Sequence, residues 1–363
     1  MPSPPRAPAL NKRGRSIAAV TVVLLLAAGA GAAAFFANSQ DAPVPGPKPT
    51  PSSNETASPL VGPQRLGDPT PLNVVFPDPV LAGCVATTLD IRATDLVSQA
   101  DLDALNDEEM LNSINGSTYR MNETLPASTG SALSCNSNPF PRNPDHEVVD
   151  LTGLQYVPHL THLDLDGAAV SDLSPLAGLT DLIWLNIIGT AVSDLSPLAG
   201  HSGLTWLMAD GTEITDLSQL AGLTNLAWLS VGSTEITDLS PLAELSGLAR
   251  LDVGHFRGDL SPLASLNNLT ELTLNHTALS DLSLVAGLNN LTSLDVSFTP
   301  VADLSPLVGL TNLAELSLDQ TDVADLSPLA ELPNLVWLTL HGCDVDMSPL
   351  DELVANGLQT LGP

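Results

Sequence analysis

The sequence predicts an α/β solenoid with a parallel β-sheet on its concave face, short 3-10 or helical turns on its convex face, and a small helical N-terminal cap. Three observations predict it. One leucine recurs as Leu163, Leu185, Leu207, Leu229, Leu251, Leu272, Leu294, Leu316 and Leu338, at steps of 22 residues with one step of 21 between Leu251 and Leu272. A fixed period of this size means one supersecondary unit stacked on itself. Within the unit, leucine spacing changes from three residues (Leu173, Leu176, Leu179, Leu182, Leu185) to two (Leu185, Ile187), which marks a strand. A short polar residue also repeats just past each strand, as Thr190, Thr212, Thr234, Thr277, Thr299 and Thr321.

The remainder of the unit follows from residue chemistry. In DLSPLAGL, Ser174 is expected to cap a short helical turn, Pro175 to occupy its first position and Gly178 to end it in the left-handed region. The repeating Thr is expected to bond the backbone of the neighbouring turn and to form a ladder inside the stack. A single unit cannot bury enough apolar surface to offset the entropy of ordering its backbone, so stacking is obligatory.

The 22-residue unit with DLSPLAGLTNL resembles the leucine-rich repeat proteins, most closely the internalin-like bacterial class, from Asp150 to the C-terminus. Thr stands where that family most often has Asn. The resemblance implies a horseshoe whose concave sheet recognises a partner at a surface, including in adhesion. FPDPVLAGCV followed by SQADLDALND is similar to the helical cap that precedes internalin-type repeats.

Composition bounds the partners. The chain has 41 acidic and 11 basic residues, a net charge of −30, and after Asp150 its only Lys or Arg residues are Arg250 and Arg257. A nucleic-acid partner is not expected. Residues 1–16 form a basic tail with Arg6, Lys12, Arg13 and Arg15, and residues 17–37 are an uncharged apolar stretch. That order predicts a single-pass signal anchor in the cell membrane with the remainder outside, or a signal peptide cleaved near Ala37 that leaves a secreted protein. No Cys lies near the stretch, so lipid attachment is not expected.

Residues 38–72, rich in Pro, Ser and Thr, read as an extended linker. Residues 73–147 lack the repeat and read as the cap, with helices starting at Asp78-Pro79 and at Ser98 with Asp101. Of three cysteines, Cys343 occupies the ladder position and is expected to be a buried thiol, which leaves Cys84 and Cys135 as a candidate disulfide. Residues 148–363 are the repeats, ending in an altered half unit with a longer helix and a partial return at Leu358 and Leu361. That end is short for a cap and is expected to be partly open or paired with another chain.

The position before the strand leucine reads His162, Trp184, Trp206, Trp228, Arg250, Glu271, Ser293, Glu315 and Trp337, so all four Trp share one column. Strand alternation puts that column on the concave face, with strands about 4.8 Å apart. Trp184, Trp206 and Trp228 should therefore form an exposed ladder, surrounded by Asp164, Asp166, Asn186, Asp210, Asp252, Asp295 and Asp319. Exposed aromatic rows suit recognition of a protein with a basic, apolar patch. Sugar rings stacking on Trp make a polysaccharide the alternative partner, and a purely structural surface role is the third reading. The candidate ligand-binding set is Trp184, Trp206, Trp228, Asn186, Asp210, Asp252, Arg250 and Trp337; no metal or cofactor site is expected.

A second column, Asp172, Asp194, Asp216, Asp238, Asp259, Asp281, Asp303 and Asp325, raises a calcium reading, but local bonds to the Ser-Pro turn explain it without a metal. The shortened step falls in GHFRGD, where Phe256 replaces the ladder Thr, and reads as a deletion absorbed by a loop. His159, His162, His201, His255, His276 and His341 are taken to occupy different repeat positions, and no catalytic motif accompanies them. LPASTG at Leu125 to Gly130 differs from the wall-sorting pattern by one residue, and Asn268 and Asn290 begin Asn-x-Thr sites that matter only if the host glycosylates them. An enzyme is not expected.

Overall fold

The computed structural model describes residues 64–106, 131–134 and 148–362. The basic tail, the apolar stretch, the sorting-like LPASTG and Cys135 lie outside the described residues. Among the described residues no helix is long and apolar enough to cross a membrane.

Leucine burial builds the sheet. Strands β4 (Leu160–Asp164), β5 (Trp184–Asn186), β6 (Trp206–Met208), β7 (Trp228–Ser230), β8 (Arg250–Asp252), β9 (Glu271–Thr273), β10 (Ser293–Asp295), β11 (Glu315–Ser317) and β12 (Trp337–Thr339) pair in parallel, each with its neighbours in sequence. Their register aligns each period leucine with the next, so Leu163 pairs with Leu185 and Leu316 with Leu338. These leucines are wholly buried, and with the leucines of the turns they form one continuous core. The sheet has 11 strands, because β3 (Ser131–Ser134) joins β4 and β13 (Gln359–Leu361) joins β12. The first is an unexpected strand, since its sequence carries no repeat. The second completes the altered final unit after helix α4 (Asp351–Ala355) and continues the sheet by one strand.

The convex turns differ from expectation in who caps them. Each is a 3-10 turn such as Ser174–Leu176, and Ser174 does not cap it through its own side chain. Asp172 does so instead: the Ser174 amide donates to Oδ1 at 2.7 Å and the Ser174 hydroxyl donates to Oδ2 at 2.8 Å. The same clasp recurs at Asp194, Asp216, Asp238, Asp259 and Asp303. Hydrogen bonds from Ser261 and Ser283, led by the hydroxyl, hold the Asp259 and Asp281 carboxyls below the usual range. These carboxylates thus act on their own turns, which supports the structural reading of the column.

The left-handed residue also lies elsewhere. Gly178 is absent from the positive-φ set; Gly189 and Gly211, each with φ 65°, adopt it one residue before the ladder Thr. There the chain leaves the sheet while its amide still bonds the next coil, as Gly189 N donates to Asp210 O at 2.8 Å. The ladder Thr hydroxyls bond within their own coil: Thr190 Oγ1 donates to Ile187 O at 2.7 Å and Thr212 Oγ1 to Ala209 O at 2.7 Å. At the end of the column Thr321 Oγ1 also lies 3.5 Å from Cys343 Sγ of the next coil. Coil-to-coil side-chain bonds come mainly from other columns: Thr205, Thr270 and Thr292 donate to a carbonyl of the preceding coil at 3.0–3.1 Å, and Asn225, Asn290, Asn312 and Asn334 each do so at 2.8 Å. Asn268 does so at 2.7 Å, so the amides of both Asn-x-Thr sites at Asn268 and Asn290 serve this ladder.

Cys343 is buried as expected, its thiol donating to Leu318 O at 3.1 Å. His201 occupies the place of Leu179 and Leu223 and is wholly buried, with Nδ1 3.2 Å from Leu198 O and Nε2 3.1 Å from Leu176 O.

The cap closes the first coil. It comprises β1 (Thr70–Pro71) antiparallel to β2 (Leu96–Val97), and helices α1 (Leu72–Val75), α2 (Pro79–Thr88) and α3 (Gln99–Asp103). Leu66 also packs against the core, its amide donating to Gln99 Oε1 at 2.8 Å, and Gln64 N donates to Gln155 O at 3.1 Å. Asp78 caps α2, its Oδ1 accepting from the amides of Val80 and Leu81 at 2.9 Å each, with Pro79 at the first helical position. Its Oδ2 accepts from Val149 N at 2.8 Å and Asp150 N at 3.1 Å, which ties the cap to the repeats. Ser98 and Asp101 form a capping box on α3. Cys84 sits half-buried on α2.

Two predictions follow from this packing. Gly153, at φ 109°, lies against the Phe76 ring, and a Cβ there would stand 2.5 Å from Val75 O. Gly153→Ala is therefore expected to cost about 1–3 kcal/mol, read as a lowered thermal midpoint. Burial pushes the His201 imidazole below its usual pKa, so the folded protein holds it neutral. Below about pH 6.5 the unfolded chain then binds a proton that the folded chain refuses, and stability falls as pH falls. His201→Leu, matching the neighbouring coils, should flatten that acid-side loss in denaturant titrations; an unchanged slope would refute the assignment.

Candidate recognition face

The register brings the Trp column together as the spacing predicts. Trp184 lies opposite Trp206, Trp206 opposite Trp228, and Trp228 opposite Arg250. The rings form two groups. Trp184 stacks on His162 with centroids 6.3 Å apart, and Trp206 packs on Trp228 at 4.6 Å and 39°. The Arg250 guanidinium lies 4.8 Å from the Trp228 ring centre and 3.1 Å from Glu271 Oε1. All four Trp are half-buried, whereas an exposed ladder was expected. Rings one strand spacing apart shield one another's faces and show the solvent their edges. Trp337 stands apart on β12, flanked by Glu315 and Gln359 and separated from the other three by β8 to β11.

The polar members of the set are largely committed to the backbone. Asn186 is buried; its Oδ1 accepts from Ile188 N at 3.0 Å and its Nδ2 donates to Asp164 Oδ1 at 3.0 Å. Asp252 Oδ1 accepts from Gly254 N at 2.8 Å, and Asp295 Oδ1 from Ser297 N at 2.9 Å. The same bond from a side chain to the amide two residues on holds successive coils as they leave the sheet. Asp210 Oδ1 accepts from Ser230 Oγ at 2.6 Å and Gly232 N at 2.8 Å, and so bridges to the next coil. Alternation alone does not reveal these bonds, because it says which face a side chain takes and not what it touches.

Gly232 lets two of these acids approach. A Cβ at that residue would lie 3.0 Å from Asp210 Oδ1 and 3.2 Å from Asp252 Oδ1. Burial pushes the Asp210 carboxyl above its ordinary range against the bonds from Ser230 and Gly232. Burial first, then the charges of Asp210 and Asp295, push Asp252 up to about 7. This part of the face therefore carries fewer negative charges near neutrality than its composition suggests. Among the described residues no group of three His, Cys, Asp or Glu side chains is arranged to hold a metal ion.

The histidines hold a feature the periodicity obscured. His255 and His276 occupy the same repeat position, because the step between them is the one of 21 residues. Both adopt the left-handed conformation, with Phe298 in the next coil, at φ 65°, 56° and 59°. Their rings stack: His255 to His276 at 4.3 Å and 7°, His276 to Phe298 at 4.3 Å and 8°. Following Gly189 and Gly211 through the shortened repeat would have found this column.

A solenoid of parallel strands with 3-10 turns and a helical cap defines a leucine-rich repeat protein. Residues 62–103 match the family model described as the N-terminal region of bacterial adhesion/invasion proteins, and residues 267–309 match a model of two leucine-rich repeats. An internalin of Listeria monocytogenes is 27% identical with a TM-score of 0.66, over 81% of this chain and 77% of that one. Internalin C2 of the same organism is 32% identical with a TM-score of 0.51, over 76% of this chain and 99% of that one. The chain belongs to the internalin-like class of bacterial leucine-rich repeat proteins. The functional domain of InlJ, which includes a cysteine ladder, shares the fold at 21% identity and a TM-score of 0.52, over 78% of this chain and 64% of that one. The search of curated proteins finds no match.

The half-buried acid pair has a testable signature. The folded state holds protons on Asp210 and Asp252 that the unfolded chain has released, so this pair weakens the fold as pH rises from about 4 to about 7. Asp252→Asn keeps an acceptor for Gly254 N and is expected to stabilise the protein more at about pH 8 than at about pH 5 by chemical denaturation. Equal effects at both pH values would refute the assignment.

Proposed function

We propose that this protein is a cell-surface recognition protein whose concave face, centred on Trp206, Trp228 and Arg250, binds another protein, including in adhesion. The observation that carries the reading is the contiguous Trp184–Trp206–Trp228–Arg250 row in strict strand register. Trp and Arg anchor protein interfaces because each combines a large apolar surface with a polar handle. Glu271 meets Arg250 at one end of the row and the chain carries a net charge of −30, so a partner with a basic rim around an apolar centre is complementary to it. Membership of a class with the adhesion/invasion N-terminal model supports a binding role over an enzymatic one.

The apolar stretch 17–37 is the proposed signal anchor, with a secreted form as the alternative. Either places the repeats outside the cell, where Cys84 and Cys135 are proposed to form a disulfide.

The test is capture from cell-surface protein and wall extracts, comparing wild type with the Trp184/Trp206/Trp228→Ala variant at matched circular dichroism. A protein retained by wild type and lost by at least about tenfold in the variant is the expected result. Retention of wall polysaccharide in place of protein would move the face to carbohydrate. Equal recovery from both, or none from either, would sink the proposal.

A further inference from the structure

Six histidines lie among the described residues, and four have their ring nitrogens bonded to protein. His159 meets Asp181, His162 meets Thr161, His201 meets two carbonyls and His341 meets Asp319. His255 and His276 differ: among the described residues nothing hydrogen-bonds to their ring nitrogens. They are also the two whose rings stack, held by coils in register and by Phe298, which is 49% exposed.

Charge singles out the same place. After Asp150 the chain has two Lys or Arg residues, Arg250 and Arg257. Arg250 is taken up by Trp228 and Glu271. Arg257 is exposed, two residues beyond His255, and its charge opposes protonation of that imidazole. The stacked imidazole pair and an exposed arginine whose charge reaches His255 therefore lie together on an otherwise acidic solenoid.

We propose that His255, His276 and Arg257 form an oxyanion-binding site on the rim, separate from the Trp row, that takes a carboxylate or a phosphoryl or sulfuryl group.

Ring geometry favours an anion over a metal. Imidazoles parallel within 7° and 4.3 Å apart hold their nitrogens in two separate planes, so their in-plane lone pairs do not converge on a common centre. A metal ion needs lone pairs converging at about 2.1 Å. Two oxygens of one anion can instead accept from parallel N–H donors, with Arg257 supplying charge and further donors. Non-Gly residues hold the left-handed turn here, where Gly189 and Gly211 hold it in earlier coils, so side chains are presented at a position where glycine suffices for the fold.

Protonation is linked to this binding. His255 is kept below its usual pKa by burial, then by His276 and Arg257; His276 is kept low by burial, opposed by Asp295. Without an anion, two cationic rings 4.3 Å apart repel. A bound anion relieves that repulsion and raises both pKa values, so affinity rises as pH falls through about 6.5. Asp295 likewise favours protonation of His276, but its negative charge repels a bound anion directly.

The experiment is an NMR titration of the histidine ring signals of the full chain with sodium acetate and, separately, sodium sulfate, at about pH 7.5 and about pH 6. The expected result is saturable shifts of two imidazoles, at least about threefold tighter at the lower pH, with both ring pKa values raised by the anion. Stronger binding of acetate identifies a carboxylate-bearing partner, and stronger binding of sulfate a phosphorylated or sulfated one. His255→Gln/His276→Gln should abolish the shifts, Arg257→Gln should weaken them, and the Trp184/Trp206/Trp228→Ala variant should retain them, which separates this site from the concave row. Shifts that stay linear in salt, that are equal at the two pH values, or that persist in Arg257→Gln at full strength would overturn the proposal.

Discussion

Everything in this molecule depends on coils that cannot fold alone. One 22-residue coil has an open edge on each side, and its leucines become solvent-free only when the next coil covers them. The parallel ladder enforces that cover in fixed register, so each position of the repeat becomes a straight column through the stack. The leucine columns supply the hydrophobic energy, and the backbone bonds between strands fix the spacing. The cap answers the same constraint at one end, where Asp78 uses one carboxylate oxygen on its own helix and the other on the entry to the repeats.

Fixed register also explains why an acidic chain tolerates its own composition. The convex Asp side chains are each held by the hydroxyl and amide of a Ser in their own coil. The concave acids are treated differently. Asn186, Asp252 and Asp295 hold the chain as it leaves the sheet, and Asp210 reaches the next coil. Burial there raises the pKa of Asp210 and Asp252, so protonation relieves their repulsion, whereas Ser hydrogen bonds favour the charged form of Asp259 and Asp281 on the other face. Repetition therefore does not make every copy of a residue equivalent, because depth and neighbours differ between faces.

The same register positions the two groups of rings. The Trp row occupies the start of the strands, and the His255–His276–Phe298 stack the turn where the strands end. They are chemically unlike: the first offers apolar surface with one paired cation, the second offers imidazole nitrogens beside an exposed Arg257. A recognition surface with both can read an apolar patch and an acidic group at different points of one partner.

What the sequence determined alone was whatever periodicity encodes: the solenoid, the strand positions, the leucine core, the alignment of Trp184, Trp206 and Trp228, and the helix starts at Asp78 and Ser98. Periodicity is legible because it repeats, and a helix cap because its partners lie within three or four residues. Contacts between coils were decided only in three dimensions. The direction each side chain takes made Asn225 and its equivalents a coil-to-coil ladder and turned hydroxyls such as that of Thr190 back onto their own coils. Shielding between neighbouring rings turned an exposed Trp row into a half-buried one. The single shortened repeat concealed that His255 and His276 are equivalent, until the strand ladder carried them into one stack. The strand at Ser131–Ser134 belongs here too, since it pairs with a repeat whose sequence it does not share. Spacing along the chain says which face a residue takes, but distance, burial and charge pairing are set by residues 20 or more positions away, and only the folded stack brings those together.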